Sequence, residues 1–403
     1  MVTTVSSHNE ARNRAPVGEG YDGVVRVVVG NLYGSGVLLF DGKAVLTAAH
    51  LFSGNQGSAR LIFETRNGMN NLASSLVVIH PDYNRGNNNS DLALVWLSQD
   101  APVAAERFGI YRASNELGQA FTMVGYGAPG LGSTGALSNY NELPLRLKAS
   151  NQFDSDIAPL GRFFSQTGQW DANKGKQLVA DFDNGLGQND ALGSLVGAPG
   201  LGLGSLEGLI STGDSGGPAF IGSLVAGVAS YTTGRSSEYG LIPDIDNVSN
   251  SSFGEIAVWQ RVSVYQQWID QSMRTRYESQ PASQAAVQKT VNEGNSGTTP
   301  VYFWVQLNGF RLDPQLIVSA DYKTRNGSAL AGQDYIATQG TLRIYPNEDH
   351  ALVLVEIIAD NVPETDENFF LDVFNPINAG FGEGVVKLTA MRSILNDDGW
   401  FFG

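Results

Sequence analysis

The chain contains no cysteine in 403 residues. Disulfides, thiolate nucleophiles and cysteine-ligated zinc or iron–sulfur centres are therefore excluded. The compartment stays open, because a secreted protein can dispense with disulfides. Histidine is scarce as well: only His8, His50, His80 and His350 occur, too few to suggest a multi-histidine metal site. Basic residues are outnumbered, 25 Lys and Arg against 40 Asp and Glu, for a formal net charge of −15. Nucleic acid and anionic membranes both demand basic surface, so neither is expected as a partner. Calcium binding or a salty habitat is compatible with this balance. No apolar run approaches the roughly 20 residues that cross a bilayer, so no membrane span is expected. The opening MVTTVSSHNEARNRAP has no apolar core, and no signal peptide is expected in the given chain.

What is present is enough apolar material, 42% of residues, for packed cores. The length suits two or three domains. Residues 24–126 hold short β-type runs separated by Gly and Asn turns: VVRVVVG, GSGVLLF, KAVLTAAH, LALVWL and FTMVGYG. Their spacing predicts an antiparallel barrel or sandwich. Residues 127–208 are rich in Gly, Asn and Leu and read as long surface loops with strands such as QLVADFD between them. Strand signals return in GPAFIGSLVAGVASY and EIAVWQRV. In VSVYQQWIDQSMRTRY, Val262, Tyr265, Trp268, Ile269 and Met273 fall on one helical face. Polar ESQPASQAAVQ then reads as a linker, and from residue 289 the pattern is again all-β.

Three segments carry candidate chemistry. A hydroxyl is a poor nucleophile at neutral pH; it needs a base, a carboxylate to orient that base, and donors for the developing oxyanion. VLTAAHLF offers His50, SDLALVWL offers Asp91, and STGDSGGPAF offers Ser215, in a tight turn whose N–H groups at Gly213 and Ser215 are candidate oxyanion donors. In this order the segments resemble the trypsin/chymotrypsin family of serine proteases, over residues 17–275. The resemblance implies Ser215 as nucleophile, His50 as general base and acid, Asp91 as orienting carboxylate, and Gly213 with Ser215 as the oxyanion hole. Ser230 in GVASYTTG matches the family serine that supports the buried aspartate and, with Tyr231 and Thr232, lines the substrate cleft.

The resemblance also implies a specificity. The family's primary pocket has its base six residues before the nucleophile, here Leu209, followed by Ile210 and Ser211. Leucine cannot pair with a substrate Lys or Arg. Thr232 and Ala257 stand where roomier relatives have glycine, so a preference for small or medium apolar residues before the scissile bond is expected. The 124 positions from Asp91 to Ser215 exceed the family's usual span, and the Gly-rich stretch 127–208 holds the excess. Asp214 matches the acid that pairs with a new amino terminus in many relatives; cleavage after Arg14 is one conceivable source, and several bacterial relatives dispense with the step. ADFDNGLGQND places Asp181, Asp183 and Asp190 close in sequence, as in a calcium loop, but without EF-hand spacing; an ordinary Asp/Asn/Gly turn is the favoured reading.

Residues 289–398 resemble a Calx-beta domain, the calcium-binding β-sandwich of sodium–calcium exchangers and many bacterial surface proteins. The matching stretches are VNEGNSG, VSADYKTRNGSALAGQDYIATQGTLRIYPNED, VEIIADNVPETDENFFLDVFNP and ILNDDG. The acids fall at strand ends, and hard oxygens gathered at one end of a sandwich suit Ca²⁺. The resemblance implies Glu293, Asp334, Asp360, Glu364, Asp397 and Asp398 as ligands, and assigns Glu367 to the fold rather than the site. Ala359 and Asn361 replace acids found in the calcium-sensing exchanger domains, so fewer or weaker ions are expected.

The expected fold is mainly β: a chymotrypsin-like double β-barrel with a C-terminal helix, then a Calx-beta sandwich. The expected divisions are 1–16 (extension or pro-segment), 17–275 (protease), 276–288 (linker), 289–398 (Calx-beta) and 399–403 (tail). The expected function is a secreted or cell-surface, bacterial serine endopeptidase acting on protein or peptide, with calcium in the appended domain and no cofactor for catalysis. The alternative is a calcium-dependent adhesion or interaction protein whose protease domain is inert or only self-processing. The second domain is a candidate for docking a surface or partner.

Overall fold

A computed structural model describes residues 1–3, 11–54, 57–138, 140, 142–161, 174–233, 244–246, 248–309, 311 and 313–399. Contacts divide the chain into two compact units: Met1–Leu39 with Lys43–Gln266, and Phe40–Gly42 with Gln267–Gly403.

The first unit opens with a closed six-stranded antiparallel barrel. Its strands are Val24–Val29, Leu32–Leu38, Ala44–Thr47, Arg60–Thr65, Gly68–Ile79 and Ala93–Leu97. In VVRVVV the period of two sends Val25, Val27 and Val29 into a core shared with Leu38, Val45, Phe63 and Val95. The expected runs VVRVVVG, GSGVLLF, KAVLTAAH and LALVWL all supply strands of this barrel.

The second half of this unit is a seven-stranded antiparallel sheet. In spatial order its strands are Leu147–Gln152, Ala120–Gly125, Pro218–Ile221, Leu224–Thr233, Ile256–Arg261, Gln177–Asp181 and Ser155–Asp156. Phe121 and Phe153 stack at 4.0 Å in its core, with Trp259 edge-on to Phe121 at 5.0 Å. The described residues among 127–208 hold more regular structure than the loop reading expected. Leu147–Gln152 is a full strand and Ala191–Val196 is a short helix. The strand was hidden because its inward positions are Leu147, Ala149 and Asn151, and only one of these is strongly apolar. Asn151 is accommodated by donating to the carbonyls of Asp181 (2.8 Å) and Gly208 (3.0 Å).

The expected amphipathic helix spans Val262–Arg274. Val262, Tyr265, Ile269 and Met273 are buried as the spacing predicts, while Trp268 is half-buried.

The second unit is a two-layer β-sandwich. One sheet orders Thr290–Asn292, Lys387–Leu395, Glu367–Ile377, Val318–Asn326 and Gln339–Ile344; the other pairs Thr298–Gln306 with His350–Ile358. Val353, Val355, Ile357, Phe303, Phe369 and Leu371 fill the space between. Strand HALVLVEII is buried along nearly its whole length, which explains its unbroken apolar run.

Candidate active site and acidic sites

His50 lies in a single 3₁₀ turn directly after the barrel strand Ala44–Thr47. Asp91 precedes the strand Ala93–Leu97, which pairs with Ala44–Thr47. The pairing brings the two residues together across 41 positions of sequence. His50 Nδ1 lies 2.7 Å from Asp91 Oδ2, and the His50 backbone N–H donates to Asp91 Oδ1 at 2.8 Å. Ser230 Oγ donates to Asp91 Oδ2 at 2.5 Å, and Gln260 Nε2 donates to Ser230 Oγ at 3.3 Å. Asp91 is 0% exposed and every part of its carboxylate has a donor; the His50 side chain is 29% exposed. A carboxylate held on Nδ1 fixes the imidazole's orientation and leaves Nε2 toward the open side.

The Ser215 turn is pinned against this corner. Its carbonyl accepts from the Ser35 N–H at 2.8 Å, and the next residue, Gly216, donates to the Ala229 carbonyl at 2.7 Å. Gly216 has φ +83, and a Cβ there would lie 2.1 Å from Thr47 Oγ1 and 2.8 Å from the Ala48 nitrogen. Glycine is thus required for the serine turn to reach the segment just before His50.

The peptide planes of the turn are set by their carbonyls. The Thr212 carbonyl accepts from Ala128 at 2.9 Å and the Asp214 carbonyl accepts from Gly217 at 2.8 Å. A trans peptide points N–H and C=O to opposite sides. The Gly213 and Ser215 N–H groups therefore face away from these bonds, and among the described residues neither has a hydrogen-bond acceptor.

Asp214 is buried beside the turn. Its Oδ1 accepts from the Gly127 N–H at 2.8 Å and its Oδ2 from the Ser211 N–H at 2.9 Å. The Met1 amino group lies 3.0 Å from Asp214 Oδ2, with both groups about 98–99% buried, and also donates to the Ala128 carbonyl and Ser211 Oγ, each at 2.7 Å. Burial pulls the pKa of that amino group down, while the Asp214 carboxylate pulls it up. Arg14 and Ala15 lie elsewhere: Ala15 is buried, and its N–H and carbonyl are both bonded to Arg146.

The residues expected to line the primary pocket are brought near one another. Thr232 pairs with Ala257 and Tyr231 with Val258 across adjacent strands. Leu209 and Ala257 are both fully buried in one apolar cluster with Phe253 and Phe182. Ile210 and Ser211 are buried as well, and Ser211 Oγ donates to the Ala128 carbonyl. Thr232 and Tyr231 are half-buried, and the Tyr231 hydroxyl donates to Gln177 Oε1 at 2.9 Å. Phe253, which stands in this cluster, carried no recognisable signal in the sequence.

A second polar centre lies elsewhere in the same unit. Asp181, Asp183 and Asp190 each present a carboxylate oxygen within 4.8 Å of the other two. Asp190 caps the helix Ala191–Val196, accepting from Gly193 at 2.6 Å. Asp181 accepts from Leu192 at 2.6 Å. Glu207, missed in the sequence, joins them by accepting from the Asp183 N–H at 2.7 Å. Burial is the main cause that pushes the pKa of Asp183 up to about 9 and those of Asp181 and Glu207 up to about 7, with Asp154 at about 6.

In the sandwich unit, Asp334, Glu364 and Glu367 bring carboxylate oxygens within 4.8 Å of one another. Glu367, assigned by resemblance to the fold, begins the strand Glu367–Ile377 at this end, which places its carboxyl in the group. Glu293 is pushed up to about 7 by burial and by Asp360, Glu364 and Asp398. Asp397 Oδ1 accepts from the Gly294 N–H at 3.1 Å, and Asp398 Oδ2 is buried with no hydrogen-bond partner. The six expected ligands and Glu367 thus gather at one end of the sandwich, and the orphaned Asp398 oxygen suits a cation. Asn361 donates to the Asn295 carbonyl at 3.1 Å, a role an acid would not fill.

The trypsin family model matches residues 16–175, which include His50 and Asp91 but stop short of Ser215. The Calx-beta domain model matches residues 285–398. Among curated proteins, the chain is 37% identical over 91 residues to the sodium/calcium exchanger Calx of Drosophila melanogaster, covering 22% of this chain and 9% of the exchanger. It is 37% identical over 91 residues to the human sodium/calcium exchanger 2, covering 19% of this chain and 10% of the exchanger. Among solved structures, it is similar to neuropsin, a serine protease expressed in the limbic system of mouse brain, with a TM-score of 0.45 and 18% identity, covering 65% of this chain and 98% of that one. The chain spans about a tenth of the exchangers' length. It carries a trypsin-like serine protease domain followed by a Calx-beta domain.

Proposed function

We propose that the chain is a serine endopeptidase in which Ser215 is the nucleophile, His50 the general base and then acid, and Asp91 the orienting carboxylate. The observation that carries this reading is the 2.7 Å contact of His50 Nδ1 with a fully buried, fully partnered Asp91, beside the tightly packed Ser215 turn. In the proposed reaction Ser215 Oγ attacks the substrate carbonyl carbon while His50 Nε2 takes its proton. The tetrahedral oxyanion is met by the N–H groups of Gly213 and Ser215. His50 then protonates the leaving amine, and water, deprotonated by His50, hydrolyses the acyl-enzyme. Among the described residues no hydrogen bond joins Ser215 Oγ to His50; such contacts commonly tighten only once substrate is bound.

Leu209, Ile210, Ser211, Ser230, Tyr231, Thr232 and Ala257 form the substrate-binding set, and the dry apolar setting of Leu209 and Ala257 supports small or medium apolar residues before the scissile bond. Asp214 is a positioning residue: its carboxylate accepts from the Gly127 and Ser211 N–H groups and so holds the turn before Ser215. In the Calx-beta domain, Glu293, Asp334, Asp360, Glu364, Asp397 and Asp398 would hold calcium, joined by Glu367. Bound calcium would supply cross-linking charge at the strand ends, with no part in catalysis. We further propose that the enzyme acts outside the cell and that the sandwich docks it to a surface or partner.

The test is hydrolysis of p-nitroanilide peptides ending in Ala, Val, Leu, Phe or Arg, by the full chain and by Ser215→Ala. Cleavage after Ala, Val or Leu that disappears in Ser215→Ala is expected. Efficient cleavage after Arg with poor cleavage after the apolar residues would overturn the specificity, and no Ser215-dependent cleavage of any peptide would overturn the activity.

A further inference from the structure

The acids of the trypsin-like domain outside the catalytic corner pose a physical problem. Asp181, Asp183 and Asp190 are 2%, 5% and 7% exposed, and Glu207 is 1% exposed. Buried carboxylates normally sit beside a cation or accept a full set of donors. The charged neighbours acting on Asp183 are Asp181, Glu207, Asp190 and Asp154, all of them acids. Its Oδ1 is buried with no hydrogen-bond partner.

The backbone is shaped around these groups. Leu192 and Gly193 at the helix start donate to Asp181 and Asp190, Gly200 donates to Asp190, and Leu203 donates to Glu207. Gly202 has φ +75, and a Cβ there would lie 1.8 Å from Glu207 Oε2. The loop 197–207 therefore closes over the acids with no room for a side chain at this point. The carboxylates are anchored from outside by N–H groups, and the orphaned oxygen of Asp183 is left within the group. Oxygens no more than 4.8 Å apart fit around one ion with Ca–O distances of about 2.3–2.6 Å.

We propose that Asp181, Asp183 and Asp190, braced by Glu207, form a calcium site within the trypsin-like domain, separate from the acidic end of the Calx-beta domain. Its place in the fold gives it a role. Phe182, between two of the ligands, packs on Phe253 at 4.8 Å, and Glu207 immediately precedes the strand Gly208–Leu209. An ion here ties the sheet end Gln177–Asp181 to the loop that delivers Leu209, and so stabilises the wall of the proposed substrate pocket.

The test uses the full chain in a Ser215→Ala background, to prevent self-digestion, with the Calx-beta acids neutralised by Glu293→Gln, Asp334→Asn, Asp360→Asn, Glu364→Gln, Glu367→Gln, Asp397→Asn and Asp398→Asn. After removal of metal with EDTA and exchange into chelator-free buffer, calcium is titrated in by calorimetry and melting is followed in parallel. The expected result is one calcium per chain, with a higher melting temperature at saturating calcium. Adding Asp183→Asn should weaken this binding about 100-fold or more. No calcium binding in the parent up to millimolar concentrations, or binding that survives Asp183→Asn, overturns the proposal. Should Asp183→Asn fail to fold, anomalous scattering from crystals of the unsubstituted chain soaked with terbium decides. A peak within about 2.6 Å of the three aspartates is expected, and its absence there overturns the site.

Discussion

Two buried aspartates of the first unit, Asp91 and Asp183, are nearly equally hidden from water yet sit in opposite electrostatic settings. Asp91 accepts from the His50 N–H, faces His50 Nδ1 and accepts from Ser230 Oγ. Asp183 has one orphaned oxygen and a ring of other acids. The first arrangement stabilises a charge and aims it at an imidazole; the second leaves charge uncompensated until protons or a cation arrive. Burial alone therefore says little about an acid's role. The donors around it decide.

The same substitution at the two positions should separate them. Asp91→Asn replaces an acceptor by an amide and favours the wrong imidazole tautomer; kcat should fall by about 10⁴-fold with little change in melting temperature. Steady-state kinetics and a melting curve check this, and near-normal kcat would remove Asp91 from the mechanism. Asp183→Asn should instead act on stability. In EDTA it relieves like-charge crowding, so its melting temperature should equal or exceed that of the unsubstituted domain, and added calcium should no longer raise it.

Asp214 is a third buried acid, held by the Gly127 and Ser211 N–H groups. Asp214→Asn removes the charged acceptor, and a hydrogen bond to a charged group is typically worth about 1.5–3 kcal/mol. A large fall in melting temperature or in kcat is expected. Unchanged values in both would show that Asp214 holds nothing in place.

Asp372 of the sandwich gives the smallest expected effect. It accepts from Arg325 Nε, Lys387 Nζ and Thr389 Oγ1, and these partners outweigh burial and hold its carboxyl down at about 2. A depressed acid contributes stability above its unfolded value, near 3.9, that is lost as pH falls toward 2. Asp372→Asn should flatten the acid-unfolding curve of the sandwich between about pH 4 and pH 2. An unaltered curve would assign that acid sensitivity to other groups.

The parts legible in the sequence are those encoded locally. TAAH, SDLAL and GDSGGP each occupy one turn or strand start, so their residue types were visible even though their meeting depends on the barrel. The barrel strands and the sandwich strands were visible because their burial alternates or runs unbroken. The strand Leu147–Gln152 was not, since Asn151 replaces apolar burial by two hydrogen bonds. The aspartates of ADFDNGLGQND stand out in the sequence, but an acidic turn and a metal site share one sequence pattern. What distinguishes them is Glu207, brought in by the loop 197–207, together with burial that only the fold reveals. Glu367 shows the same limit, since its place beside Asp334 and Glu364 depends on where its strand begins.

Activation of Ser215 by His50 and Asp91 is open to direct test by reaction with a biotinylated fluorophosphonate, followed by peptide mapping. One adduct is expected, on Ser215, lost in His50→Ala and strongly slowed in Asp91→Asn. Absence of labelling in the folded, unsubstituted chain, or an adduct on another residue, would contradict it.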